Sequence, residues 1–117
     1  MNNTMMPGGE DRTRTEVVDL VSRAEASVEA LETREPNGSW AMTAFSRYRV
    51  CELVGVTPYA PYLGELADDP AALFDEAAGL VDRFEVSIEG LSWRLALADA
   101  LRSAAKDIRM VADARDV

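Results

Sequence analysis

Residues 69–113, DPAALFDEAAGLVDRFEVSIEGLSWRLALADALRSAAKDIRMVAD, decide the fold. Leu73, Ala77, Leu80, Phe84, Ile88, Leu91, Leu95, Ala98, Leu101, Ala105, Ile108 and Val111 recur at intervals of three and four. That spacing lays them along one face of a helix. Asp69-Pro70 is a helix start: an acidic cap followed by a residue whose φ is already helical and whose missing N–H is not needed there. Two structures satisfy the pattern. One is a single rod from 69 to 113, about 66 Å long at 1.5 Å per residue. The other is two helices, 69–89 and 92–113, with Gly90 as the cap and Ser92 restarting the chain. The reading favours the break, because glycine costs a helix interior about 1 kcal/mol relative to alanine. A second apolar line, Trp93, Leu97, Ala100 and Ala104, runs beside the first on the last helix. Two such lines give that helix more surface to bury than one neighbour covers.

Towards the N-terminus, Val17, Val21, Ala24, Val28 and Leu31 predict a helix over 11–35, stopped by Glu35-Pro36-Asn37-Gly38. Glu16, Arg23, Glu25, Glu29, Glu32 and Arg34 fall on its other faces. Residues 1–10, MNNTMMPGGE, read as a flexible lead. Ser39 opens a second helix to about Val54 with Gly55 as its cap. Its stripe is Trp40, Ala44, Tyr48, Cys51 and Val54, with Phe45 beside it. The aromatics there also fit period two, but the alanine, methionine, leucine and arginine content favours helix. Residues 55–68, GVTPYAPYLGELAD, are too rich in proline and glycine for a long helix. They predict a structured connector with one short helical piece at most, at 61–66. The expected architecture is therefore all-α: a single domain over 11–117, bundle-like, of four helices, with a proline-rich connector between helices 2 and 3.

Composition narrows function by exclusion. The 117 residues contain no histidine. This removes serine–histidine and cysteine–histidine nucleophile pairs, the usual neutral-pH proton shuttle and imidazole metal ligands. The single cysteine, Cys51, allows no internal disulfide and no cysteine-based zinc site; it reads as a small buried apolar residue in a reducing cytoplasm. Twenty-one acidic residues against 12 basic ones give a net charge of −9, which opposes phosphate backbones and anionic lipid. No secretory signal opens the chain and no apolar run is long enough to span a bilayer. Asp82, Glu85 and Glu89, spaced three and four apart, continue an acidic cluster from Asp68, Asp69, Asp75 and Glu76. A magnesium site would use such carboxylates, but no full Glu-x-x-Glu pairing supports one, and a solvated face with favourable helix N-termini is the favoured reading. No cofactor or metal is expected, and the chain does not read as an enzyme.

The expected role is docking. Residues 40–63 hold Trp40, Phe45, Tyr48, Tyr59 and Tyr62, with Arg47 and Arg49 against the one acid Glu52. Tyrosine, tryptophan and arginine dominate binding hot spots, so Arg47, Arg49, Tyr59 and Tyr62 are the expected partner-binding surface. Trp40, Phe45 and Tyr48 are expected to fill the core; the alternative is that they join this surface. Trp93, Leu97 and Ala100 are the expected contact of a homodimer; the alternative is a last helix central in the bundle. Residues 49–66, RVCELVGVTPYAPYLGEL, resemble a helix-turn-helix with Gly55-Val56-Thr57 at the turn. The resemblance implies a transcriptional regulator, although Pro61 interrupts the would-be recognition helix and no residue suited to reading base edges lies on it. Converging ionisable side chains around a closed cleft would speak against a purely docking protein.

Overall fold

The computed structural model describes the backbone of residues 7–115 and the side chains of 12–114. Four α-helices follow one another: α1 (Pro7–Arg34), α2 (Ala44–Val54), α3 (Pro70–Asp82) and α4 (Ile88–Arg115). A 3₁₀ turn, Ser39–Thr43, leads into α2. No strand occurs among the described residues. The protein is an all-α, four-helix, bundle-like domain of 55 × 28 × 19 Å. α3 lies between α1 and α4, and α2 packs on α4.

α1 begins at Pro7, so residues 7–10 belong to a helix and not to a lead-in; the rest of that expected lead, 1–6, lies outside the described residues. Proline is tolerated at a first helical position because its N–H would be unpaired there anyway. The α1 stripe is as the spacing predicts: Val17, Val21, Ala24 and Val28 are buried. They meet Ala71, Phe74, Ala77, Ala78 and Val81 of α3 and Leu97, Leu101, Ala104, Ala105 and Ile108 of α4 in one continuous core. The many alanines let the helices approach closely.

The 3₁₀ turn displaces the stripe of the second segment. Such a turn advances three residues per revolution rather than 3.6. From Trp40 the buried series therefore runs Thr43, Ser46, Arg47, Val50 and Cys51. Phe45, read as core, is 86 % exposed, and Tyr48 sits at the surface. α2 ends as expected on Gly55, at φ 88°, a left-handed conformation suited to glycine. Residues 55–69 form no helix, so neither the short helical piece at 61–66 nor the recognition helix of a helix-turn-helix is present.

Asp69 caps α3 by accepting from the Ala72 N–H at 3.3 Å, with Pro70 at the first position. The chain does break between α3 and α4, but at 83–87 rather than at Gly90. α3 closes with Arg83 and Phe84 N–H groups donating to Leu80 and Val81 carbonyls. Arg94 then donates to the Phe84 carbonyl at 2.9 Å, satisfying a group the helix end leaves open. Gly90 lies in the first turn of α4, where a Cβ would stand 3.1 Å from Cβ of Val86. It serves close approach, not capping.

Candidate functional site

α4 buries its expected stripe from Ala98 to Val111 and the second apolar line as well. Trp93, Leu97 and Ala100, the expected dimer contact, face inward: Leu97 is 1 % and Ala100 3 % exposed. The last helix is central, and these residues are core. Trp93 is half-buried and stacks on Phe84 with ring centroids 6.0 Å apart. Its Nε1–H donates to the Leu53 carbonyl at 2.9 Å, closing the C-terminal end of α2. The Arg14 guanidinium lies 4.9 Å from its ring centroid. Trp93→Phe should therefore destabilise the fold by about 1 kcal/mol through the lost hydrogen bond. Urea unfolding checks this, and the mass in solution should not move.

Ile88, Leu91 and Leu95, read as core, are instead 89 %, 39 % and 58 % exposed. They form one row on the outer face of α4, at i, i+3 and i+7. Three large aliphatic side chains thus stand in one open row, and Met42, Phe45, Leu63 and Met110 are exposed elsewhere on the surface.

A second constellation lies between α1, α2 and the connector. α1 places Glu25, Glu29 and Glu32 at i, i+4 and i+7, beside its buried stripe. α2 answers with Arg47, expected at a docking surface but fully buried. Its Nη1 lies 2.6 Å from Glu25 Oε2, and its Nη2 3.2 Å from Glu32 Oε1. Nε donates to Thr43 Oγ1 at 2.8 Å. A guanidinium so enclosed cannot greet a partner; it ties α2 to α1. The connector is fastened to the same acids. The Tyr59 N–H donates to Glu29 Oε2 at 2.6 Å, and its hydroxyl donates to Glu32 Oε1 at 3.0 Å. Tyr48 donates to the Tyr59 hydroxyl at 2.9 Å. These bonds hold Tyr59 at φ 61°, left-handed backbone unusual for tyrosine. Farther along, Arg23 donates to the Glu65 carbonyl and the Ala67 N–H donates to Ser27 Oγ.

Three carboxylates around one buried guanidinium leave excess negative charge. Burial pushes the Glu25 carboxyl up to about 7; Arg47 pulls it down, and the adjacent Glu29 carboxyl pushes it up. Burial, then Glu25 and Glu29, push the Cys51 thiol up to about 12, so it stays protonated and unreactive. The Tyr59 hydroxyl is raised by its bond with Tyr48 and by its burial and Glu32. Beside Glu25 a half-open cavity of about 280 Å³ separates α1 from the connector, lined by Asp19, Glu25, Glu29, Thr57, Pro61 and Tyr62 among others.

Of the four expected partner-binding residues, only Arg49 and Tyr59 are exposed; Tyr62 is half-buried on the cavity wall and Arg47 is interior. The sequence reading missed Glu25, Glu29 and Glu32 as a site. The available signal was their shared face, adjacent to the core stripe. Of the outer acids, Asp75 pairs with Arg109 at 2.7 Å, Asp82 pairs with Arg102, and Asp69 caps its helix end. Arg102 holds the Asp82 carboxyl below its ordinary range through their hydrogen bond. The expected common face of Asp82, Glu85 and Glu89 is divided by the break at 83–87. Among the described residues, no three acids or cysteines converge to hold a metal, and no helix is long and apolar enough to cross a membrane. Comparison with protein-family models, with curated proteins and with solved structures finds no match to this chain.

Proposed function

We propose that this protein is a non-catalytic docking and assembly module that self-associates through the outer face of α4. The observation that supports it is the open row Ile88, Leu91 and Leu95. Its spacing suits a second copy. In an antiparallel two-fold pairing centred near residues 91–92, Ile88 meets Leu95 of the other copy and Leu91 meets its equivalent. Charge opposes this only slightly: Asp82, Glu85, Glu89 and Asp99 outnumber Arg83, Arg94 and Arg102 by one. Full burial of three such side chains contributes about 1.5–3 kcal/mol each. Against this stands an association cost of about 4–15 kcal/mol. The dimer is accordingly weak and dependent on concentration.

Sedimentation over a concentration series tests the reading. Wild type should rise from 12.8 kDa towards twice that mass, and Leu95→Glu, at an exposed position, should stay monomeric with unchanged helicity. A wild type that remains monomeric throughout, or a Leu95→Glu that dimerises as well as wild type, contradicts the proposal.

A further inference from the structure

We propose that residues 57–69 form a strap that unlatches from α1 as one unit while the helices stay packed, and so gates access to the side of α1 beneath it. The strap is built from elements other than the α4 row and does not depend on self-association.

Packing holds the strap weakly. No residue from 55 to 69 is buried, and within 57–69 only Pro58, Tyr62 and Ala67 are half-buried. Tyr59, Leu63 and Leu66 are exposed. Two half-open cavities, of about 280 and 520 Å³, lie between the strap and α1. Polar bonds fasten the strap instead, at two places. At one, the Tyr59 N–H donates to Glu29 Oε2 and its hydroxyl to Glu32 Oε1. At the other, the Ala67 N–H donates to Ser27 Oγ and Arg23 Nε donates to the Glu65 carbonyl, both at 2.8 Å. A segment with few buried apolar contacts opens at far lower free-energy cost than the whole fold.

Tyr59 is the latch. Its bonds to Glu29 and Glu32 hold it at φ 61°, a conformation that is strained for any side chain with a Cβ. Unlatching releases that strain, so the closed strap stores part of what opens it. Both ends of the strap are set by helix caps that do not involve the latch. Gly55 closes α2 through its N–H to the Cys51 carbonyl, and Asp69 caps α3 through the Ala72 N–H. The strap can therefore lift without fraying either helix. Lifting it bares Ser22, Ala26, Ser27 and Ala30 of α1, the short side chains under the two cavities.

Native-state hydrogen exchange of the Tyr59 and Ala67 amides reads the unlatching, with the buried Leu101 of α4 as the core reference. Both strap amides should exchange at least about tenfold slower than in an unstructured peptide and about a hundredfold or more faster than Leu101. Urea below the unfolding transition should speed Leu101 steeply and the strap amides little, because a lifting strap exposes little surface. Two variants test whether the strap moves as one unit. Ser27→Ala removes the acceptor at Ala67, and Tyr59, eight residues away, should then exchange about tenfold faster. Glu29→Gln weakens the charge-assisted bond at Tyr59, and Ala67 should then exchange about fivefold faster. Leu101 remaining far slower than the strap shows that both variants fold. Strap amides as slow as Leu101 would mean that this segment opens only with the whole fold. Exchange as fast as in an unstructured peptide would mean that it is never latched. An unchanged Tyr59 in Ser27→Ala, or an unchanged Ala67 in Glu29→Gln, would mean that the two ends open separately. Each of these three results overturns the proposal.

Discussion

Arg47→Ala is expected to destabilise the fold by about 3–5 kcal/mol, the cost of leaving a buried charge without its partner. The guanidinium is fully enclosed, and it is the cation that the buried Glu25 and half-buried Glu32 share. Its removal brings together carboxylates with nothing between them and strips Thr43 Oγ1 of a donor. It also loosens the connector, because Tyr59 hangs on Glu29 and Glu32. Urea unfolding at neutral pH measures the loss. The double variant Glu25→Gln, Arg47→Met should recover a large part of it, since removing both charges leaves less uncompensated polarity than removing one. A cost below about 1 kcal/mol for Arg47→Ala would mean that water reaches this cluster freely.

The second large effect is on pH dependence. In the unfolded chain Glu25 titrates at its ordinary 4.5, and in the fold at about 7. Between these values the folded protein holds a proton that the unfolded chain has released. Stability from this group is therefore fully present below pH 4.5 and is lost as pH rises towards 7. The loss is on the order of 3 kcal/mol, because each pH unit between the two values contributes about 1.4 kcal/mol. Other carboxylates, such as Asp82 with its lowered value, contribute with the opposite sign. The difference between wild type and Glu25→Gln isolates the one residue. At pH 5 glutamine imitates the neutral acid, so the two proteins should be similar in stability. By pH 8 the variant should have gained relative to wild type. Urea midpoints at pH 5 and pH 8 check this, and a parallel change in both proteins would contradict it.

Caps and stripes are local properties of the chain, and the expectations that failed depend on what lies between the helices. Periodicity located α1, placed the start of α3 at Asp69-Pro70 and placed the end of α2 at Gly55. It also found both apolar lines of α4. It could not say that both lines are inward from Leu97 onward, nor that the first turns of α4 are bare. The stripe keeps helical phase in the sequence from Leu80 to Leu95, but residues 83–87 are not helical. Thus Ile88, Leu91 and Leu95 are exposed, whereas from Leu97 onward both lines are buried, Ala98, Leu101, Ala105, Ile108 and Val111 as the spacing predicts and Leu97, Ala100 and Ala104 beside them. A 3₁₀ turn had the same effect on Phe45 and Arg47, shifting the buried face by about one residue. The cluster at Glu25 depends on a pairing 22 residues apart in the chain and on a connector that covers the acidic side of α1. On a helical wheel alone those acids look solvated. Their burial comes from residues 55–69, which have no period to read.

The self-docking face of α4 is tested most directly by solvent paramagnetic relaxation of methyl groups, recorded as the protein is concentrated. Leu63, 99 % exposed on the connector, serves as the open reference. The methyls of Ile88, Leu91 and Leu95 should become shielded at high concentration while Leu63 remains fully relaxed, and dilution should restore them. If all four stay equally relaxed at every concentration, the row is bare surface and this chain does not pair through α4.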